Sequence, residues 1–199
     1  MDAGGARQLD DEESGGVRLS PEDADIAAAV ERGDHRAALA LCARHHGAAV
    51  GRLCMALVGS QAEAEDLVQE TLLAAHAGFD AYRGDGPVRA WLSTIARRKC
   101  ARHLERTRRQ QSRLRLVHDA AETGAEESVL LKQRAERARA ALSHIRPSER
   151  EALLLRYVAE LSFRDVASAC GIEEAAARKR VSRAIARLRE LAAGGGAER

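Results

Sequence analysis

The stretch LSFRDVASACGIEEAAARKRVSRAIARL, residues 161–188, decides the fold of the C-terminal part of this chain. Ser162 can cap a short helix, and Gly171 suits the turn that follows that helix. The next helix repeats small and apolar residues at a spacing of three or four, which is typical of one buried face. The pattern predicts a helix-turn-helix, whose second helix can enter the major groove of DNA by its N-terminal part.

The second helix of this motif carries its cations on one side. Its inward face is predicted to hold Ala177, Val181, Ala184, Ile185 and Leu188. The candidate DNA-reading residues lie off that face and are Arg178, Lys179, Ser182 and Arg183. Clustered cations on such a helix favour DNA binding over the alternative, a helical hairpin whose basic face only meets solvent.

The N-terminal half of the chain is predicted to be helical as well. Ser20 is suited to cap a helix over about 21–32, and apolar spacing predicts a longer helix that ends near Gly59. Ser60 and Glu63 then have the spacing of a capping box, which predicts the start of a third helix.

A fourth helix follows the sequence YRGDGPV, residues 82–88, which is typical of a loop. This helix is predicted to end near Arg109, and it is strongly basic. Four of its arginines share one face at helical spacing, namely Arg98, Arg102, Arg106 and Arg109. Ser148 and Glu151 predict a second capping box, at the start of the helix that precedes the helix-turn-helix.

The composition agrees with an all-α protein of two small domains. The chain has 199 residues and only five aromatic side chains, and its apolar content is mainly Ala, Leu and Val. No apolar run approaches the roughly 20 residues that span a bilayer, and the acidic N-terminus lacks a signal-peptide core. We therefore expect a cytoplasmic protein without membrane insertion. Its four cysteines form no CxxC motif and are expected to be reduced.

Charge is segregated along the chain, although the net charge is only +2. Residues 1–25 hold eight acids against two arginines, whereas residues 83–115 hold eleven basic residues against two acids. Residues 178–189 add six basic residues and no acid, and residues 116–131 between the two basic clusters hold four acids and no Lys or Arg. Two single-sign basic clusters on separate helices favour a nucleic-acid partner.

The tetrapeptide CARH occurs at residues 42–45 and again at 100–103, which raises the question of a metal site. Zinc requires four protein ligands, or three and a water, and nothing in the sequence brings the two pairs together. Cys100 also lies four residues from both Ala96 and Leu104 on the predicted buried face, so it is expected to be a small core residue. We predict no metal, no cofactor and no catalytic site, because no paired carboxylates or nucleophile accompany these residues.

Two consecutive stretches of the chain carry a family resemblance, namely AEAEDLVQETLLAAH (62–76) and YRGDGPVRAWLSTIAR (82–97). They resemble regions 2.2 and 2.3 of the extracytoplasmic-function sigma factors of bacterial RNA polymerase. These are members of the sigma-70 family that keep only regions 2 and 4. The basic helix is similar to region 2.4, and residues 143–191 resemble region 4. The resemblance implies two small helical domains, region 2 at 21–112 and region 4 at 136–193, joined by a flexible linker at 113–135. Residues 1–20 lack hydrophobic periodicity and are predicted to be an acidic disordered tail, and residues 194–199 are predicted to be a flexible tail.

The resemblance also implies partners and sites. Core RNA polymerase would be bound through its β′ clamp helices by Asp66, Gln69 and Glu70, and through its β flap by region 4. The −35 promoter element would be read by the second helix of the helix-turn-helix. The −10 element would be captured and melted by Tyr82, Arg83, Arg97, Arg98, Lys99, Arg102 and Arg106, while Trp91 is expected to be a core residue. An anti-sigma factor is a further implied partner.

Some positions depart from the family pattern, and two other functions compete. The family often has Asn at the position of Arg98 and Asp at that of Arg102, so these positions bear on promoter preference. A stand-alone helix-turn-helix regulator would have no use for EDLVQE or a melting loop. A sigma mimic that titrates an anti-sigma factor would not need arginines in both domains.

Overall fold

The computed structural model describes residues 20–84, 86–114, 137–138 and 140–194, and these ranges contain helices and no strand. The predicted all-α fold class is therefore confirmed. None of the helices in these ranges combines the length and the apolar character needed to cross a bilayer. The predicted acidic tail up to residue 19, the linker from residue 115 and the tail from residue 195 lie outside the described residues. The helices whose bounds are fully described are α1 (Pro21–Glu31), α2 (His35–Val58), α3 (Gln61–Gly78), a 3-10 turn (Phe79–Ala81), α4 (Val88–Leu114), α5 (Pro147–Tyr157), α6 (Phe163–Cys170) and α7 (Glu174–Gly194). Residues 137–138 and 140–143 are helical as well.

Three predicted serine caps are confirmed by the hydrogen bonds they accept. Ser20 Oγ accepts from the backbone N–H of Asp23 at 3.1 Å, and Ser162 Oγ accepts from that of Asp165 at 3.1 Å. Ser60 Oγ accepts from the N–H of Glu63 at a longer 3.5 Å. Each serine thereby satisfies one of the N–H groups that a helix start leaves without an intrahelical partner.

Two predicted helix boundaries are wrong. Helix α5 begins at Pro147 after Arg146, which makes no side-chain cap, so Ser148 lies inside the first turn and the predicted capping box does not form. Proline at the first helical position starts α5 instead, because its fixed φ suits the helix and it has no N–H to satisfy. Helix α4 continues to Leu114, five residues past the predicted end near Arg109.

The N-terminal domain, α1 to α4, is built around α2. Helix α2 packs against α1, α3 and α4, and α3 also packs against α4. Its buried face includes Cys42, Val50 and Leu53, which recur at the spacing expected for one side of a helix. The predicted buried stripes of α3 and α4 are confirmed at Leu67 and Leu92, respectively.

The C-terminal domain, α5 to α7, contains the predicted helix-turn-helix. Helix α6 ends at Gly171, whose φ of 66° lies in the left-handed region that favours glycine. Helix α7 packs against α5 and α6 through Ala177, Val181 and Ala184, all of them buried as predicted. The two domains touch each other, since α6 packs against α4 and α5 packs against α2.

Candidate nucleic-acid interface

An exposed row of arginines runs along α4. Arg98, Arg102, Arg106 and Arg109, here called the arginine row, are all exposed, while Ala96 and Cys100 on the other side are buried. No ion pair joins the row to another residue within the described ranges. Since a helix rises 1.5 Å per residue, the first three arginines span about 12 Å, which is enough to follow several phosphates of a nucleic-acid backbone.

Two other basic residues of α4 are engaged with carboxylates. Arg97 donates to Glu151 of α5 at 3.0 Å, and Lys99 donates to Glu70 of α3 at 3.1 Å. The seven residues predicted for the −10 site are therefore not one continuous free surface. Three of the seven, Arg98, Arg102 and Arg106, belong to the arginine row. Arg97 and Lys99 are instead paired with carboxylates on other helices.

Three aromatic rings pack against one another at tilted angles beside the loop that precedes α4. The ring of Tyr82 lies 4.9 Å from that of Trp91, which in turn lies 5.7 Å from the fully buried ring of Phe79. The Tyr82 hydroxyl donates to the carbonyl oxygen of Gly86 at 3.2 Å, so the loop is closed on itself. Trp91 is half-buried and packs against the core, while Arg83 in the same loop is exposed.

A buried carboxylate positions the start of α4. Asp23 of α1 is 4% exposed, and its Oδ2 accepts from the backbone N–H of Val88 at 3.1 Å. Its Oδ1 lies 2.9 Å from Nε2 of His46, which is also buried. A carboxylate at a helix N-terminus is favoured by the helix dipole. Sequence reasoning missed this contact, because Asp23 and Val88 are 65 residues apart.

The second helix of the helix-turn-helix exposes most of its predicted DNA-reading residues. Lys179, Ser182 and Arg183 of α7 are exposed near its N-terminal half. Arg178 is exposed too, but its guanidinium lies 4.5 Å above the ring of Phe163 and donates to Glu174 at 2.7 Å. To reach a base, Arg178 would have to give up its contacts with Phe163 and Glu174. This requirement distinguishes Arg178 from Lys179, Ser182 and Arg183.

Arg183 borders a polar cavity of about 620 Å³ in the C-terminal domain. Arg187, one turn further along α7, lines the same cavity and donates to Glu190 at 3.0 Å. Buried Glu149 and the side chains of His144 and Arg146 complete most of the lining. The acids in this cavity offset part of its positive charge, so the exposed side of α7 is the better candidate for DNA.

The predicted polymerase-binding residues form an exposed face of α3. Asp66, Gln69 and Glu70, here called the α3 polar face, are all exposed and lie off the buried stripe. Leu73 continues this face and is 66% exposed, a high value for a large apolar side chain. Sequence reasoning missed Leu73, although its spacing of four from Gln69 already places it on the same side of the helix.

The two CARH segments do not meet in a shared site. Cys42 is buried and its pKa is raised to about 11 by burial, while Cys100 is buried against Cys54 and its pKa is raised by a hydrogen bond between the two thiols. His103 lies 3.1 Å from Glu63, and His45 accepts from Arg44. Within the part of the chain that the structure describes, no three His, Cys, Asp or Glu side chains are arranged to hold a metal ion.

The fold and the two basic helices define a two-domain, all-helical protein with the features of a DNA-binding factor. The family model "Sigma-70 region 2" matches residues 42–110, and "Sigma-70, region 4" matches residues 135–188. The chain belongs to the sigma-70 family, in its extracytoplasmic-function (ECF) group. The arginine row of α4 falls within the first match, and α6 with most of α7 falls within the second.

Several curated relatives support this membership. The chain is 34% identical over 151 residues to ECF RNA polymerase sigma factor EcfG of Rhodopseudomonas palustris, covering 72% of this chain and 79% of the relative. It is 31% identical over 186 residues to RNA polymerase sigma factor CnrH of Cupriavidus metallidurans, covering 87% and 96%. It is 32% identical over 164 residues to SigG of Mycobacterium tuberculosis, but there it covers only 44% of the relative's length and 69% of its own.

Two solved structures share the fold. CnrH in complex with the cytosolic domain of CnrY has a TM-score of 0.67 at 23% identity, covering 87% of this chain and 98% of that one. The sigma factor RpoE in complex with the anti-sigma factor NepR from Bartonella quintana has a TM-score of 0.62 at 28% identity, covering 79% and 96%. Both similarities extend over the N-terminal and C-terminal domains.

Proposed function

We propose that this chain is a promoter-specificity factor that binds core RNA polymerase, directs it to −10 and −35 promoter elements and helps to melt DNA. The observation that carries the proposal is the adjacency of two different surfaces on neighbouring helices. The α3 polar face suits a protein partner, and the arginine row of α4 suits a nucleic-acid backbone. A stand-alone regulator that binds duplex DNA needs only the second kind of surface.

The N-terminal domain supplies the proposed −10 site. Opening a duplex requires unstacked bases to be held in a basic groove, and a pocket for any base that is turned out. The arginine row would follow the backbone, while the loop of Tyr82 and Arg83 would contact the displaced bases. The buried contact of Asp23 with the start of α4 supports this role, because it fixes the loop relative to the arginine row.

The C-terminal domain supplies the proposed −35 site. Exposed Lys179, Ser182 and Arg183 occupy the N-terminal half of α7, the part of a recognition helix that reaches base edges. Arg178 is an additional reader if it exchanges its contacts with Phe163 and Glu174 for a guanine. The β flap of polymerase is the proposed protein partner of this domain. An anti-sigma factor is a further proposed partner of the chain, since the similar sigma factor RpoE forms a complex with the anti-sigma factor NepR.

The chain acts without catalysing a reaction itself in this proposal, and it works in the cytoplasm, where its polymerase and promoters are. The test is run-off transcription with purified core polymerase on a library of genomic fragments. We expect initiation at a small set of promoters only when both the chain and core are present. Fragment binding by the chain alone, without core-dependent initiation, would instead identify a stand-alone regulator.

A further inference from the structure

One phenylalanine ring contacts cations from both of its neighbouring helices in the C-terminal domain. Phe163, the first residue of α6, is half-buried and packs against the core. The guanidinium carbon of Arg156 of α5 lies 4.8 Å from the centre of this ring, and that of Arg178 of α7 lies 4.5 Å from it. The negative face of an aromatic ring attracts a guanidinium at such distances. The ring of Phe163 therefore helps to hold both arginine side chains.

The two arginines differ in their other contacts. Arg156 donates to the backbone carbonyl oxygen of Leu161 at 2.8 Å, which ties it to the turn before α6. Arg178 donates instead to a side chain of its own helix, since its Nε and Nη2 lie 3.2 Å and 2.7 Å from Oε1 of Glu174. Glu174 precedes Arg178 by four residues, which is the favourable order for an ion pair on a helix. The contacts of Arg178 with Phe163 and Glu174 are here called the Arg178 contacts.

The Arg178 contacts set this residue apart from the neighbouring candidate DNA readers. Lys179 and Arg183 are exposed, and neither forms an ion pair or a ring contact within the described ranges. The Arg178 contacts are moderate in strength, because the side chains of Arg178 and Glu174 are 46% and 44% exposed. At such a site a cation–π contact favours the held position about two- to five-fold, and an i,i+4 ion pair favours it about two-fold.

A base that recruits Arg178 competes with the Arg178 contacts. A bidentate contact to guanine O6 and N7 is worth about 5- to 150-fold in discrimination, so guanine can win this competition. The other bases do not present this pair of acceptors, and on them Arg178 keeps its contacts with Phe163 and Glu174. The observed preference for guanine is therefore the intrinsic preference reduced by the strength of the Arg178 contacts. Weakening these contacts should raise the preference without changing which base is preferred.

We propose that Phe163 and Glu174 are specificity-determining residues, which set how strongly Arg178 contributes to reading the −35 element. The inference rests on the proposed function, because it concerns a promoter contact. Neither residue needs to touch DNA for this effect, so both are positioning residues that act through Arg178. Phe163 lies on a different helix from Arg178, and only the packing of α6 against α7 brings its ring under the guanidinium.

The test measures binding of holoenzyme, assembled from core polymerase and the full-length chain, to duplexes with each base in turn at every −35 position. Arg178→Ala identifies the position that Arg178 reads. At that position Phe163→Leu should raise the preference for guanine about two- to five-fold, and Glu174→Gln should raise it about two-fold. The control Glu173→Gln removes an exposed charge next to Glu174 and should leave the preference unchanged. Phe163→Leu combined with Arg178→Ala should behave like Arg178→Ala alone.

The Arg178 contacts are measured separately by nuclear magnetic resonance, on the full-length chain with isotope-labelled arginine and without polymerase or DNA. The Nε–H signal of Arg178 is identified by its loss in Arg178→Lys. The ring current of Phe163 should displace this signal, which should therefore move in Phe163→Leu. Glu174→Gln should speed the exchange of the same proton with water. Far-UV circular dichroism checks that each variant keeps its helices.

Three results would overturn the inference, and they point to different causes. An Arg178 signal that stays in place in Phe163→Leu would show that the ring does not hold this side chain in solution. A guanine preference unchanged in both Phe163→Leu and Glu174→Gln, with wild-type holoenzyme that distinguishes −35 sequences, would refute the inference and leave the proposed function standing. Holoenzyme that distinguishes no −35 sequences in any variant would refute the proposed function and the inference together, even if the Arg178 signal reports both contacts.

Discussion

Asp23→Ala should destabilise the N-terminal domain far more than an ordinary surface substitution. The carboxylate of Asp23 is buried and has two partners, the backbone N–H of Val88 at 3.1 Å and Nε2 of His46 at 2.9 Å. Leaving a buried polar group without its partner costs about 1–3 kcal/mol. Since two groups lose their partner together, we expect the free energy of unfolding to fall by about 2–6 kcal/mol.

Two further variants separate this contact from general effects on α1. Asp23→Asn keeps one acceptor oxygen in the same place, so it should lose roughly half as much stability as Asp23→Ala. Asp25→Ala removes an exposed carboxylate from the same helix and should stay within about 0.5 kcal/mol of wild type. The order of the three variants therefore reports burial and hydrogen bonding, and not helix propensity or net charge.

The measurement is urea unfolding followed by the fluorescence of Trp91, the single tryptophan of the chain. Its ring packs against Phe79 and Tyr82, so its emission reports on the N-terminal domain. The fitted transition gives the free energy of unfolding and its denaturant dependence. Equal stability of Asp23→Ala and Asp25→Ala would refute the reasoning, because it would show that the buried contact contributes nothing.

Three further predictions concern binding and metal. Arg183→Ala should flatten the −35 base preference, since a bidentate guanine contact is worth about 1–3 kcal/mol, and Arg178→Ala should do so to a similar degree. Arg187→Ala should instead weaken binding equally on all promoters and reduce its salt dependence, so a −35 mutant panel at two salt concentrations tests the register of α7. Replacing the whole α3 polar face with Ala should weaken core binding tenfold or more without loss of helicity, and Leu73→Ala should add to that loss; unchanged pull-down affinity would remove the assignment. Purified protein should carry well under one zinc per chain by elemental analysis, and Cys100→Ala should lose only a modest amount of stability. Stoichiometric zinc that is lost in this variant would contradict a core role for Cys100.

Local signals predicted the helix starts well where the partners are close in sequence. Ser20, Ser60 and Ser162 cap helices as expected, because a capping oxygen needs only an N–H three residues away. Ser148 with Glu151 has the same spacing and does not cap. Its glutamate instead pairs with Arg97, a residue 54 positions earlier, and a four-residue motif contains no information about that competitor.

In the candidate site too, the sequence predicted the features that depend on nearby residues and missed the contacts between distant ones. Exposure of the arginine row and the α3 polar face follows from helical periodicity, so sequence alone separated these side chains from the core. Periodicity does not say what stands opposite an exposed residue. Lys99 is paired with Glu70, and Arg178 is stacked on Phe163, and both contacts alter what those residues can offer to DNA.

By itself, the sequence determined the helices, their buried faces, the helix-turn-helix and the two basic surfaces, because each depends on residues within one or two helical turns. Only the tertiary structure decided which distant residues meet. Asp23 reaches Val88 across 65 positions, and Arg97 reaches Glu151 across 54. Such contacts arise when packed helices bring together residues that no local spacing relates, and they determine where α4 begins and how the C-terminal domain lies against it.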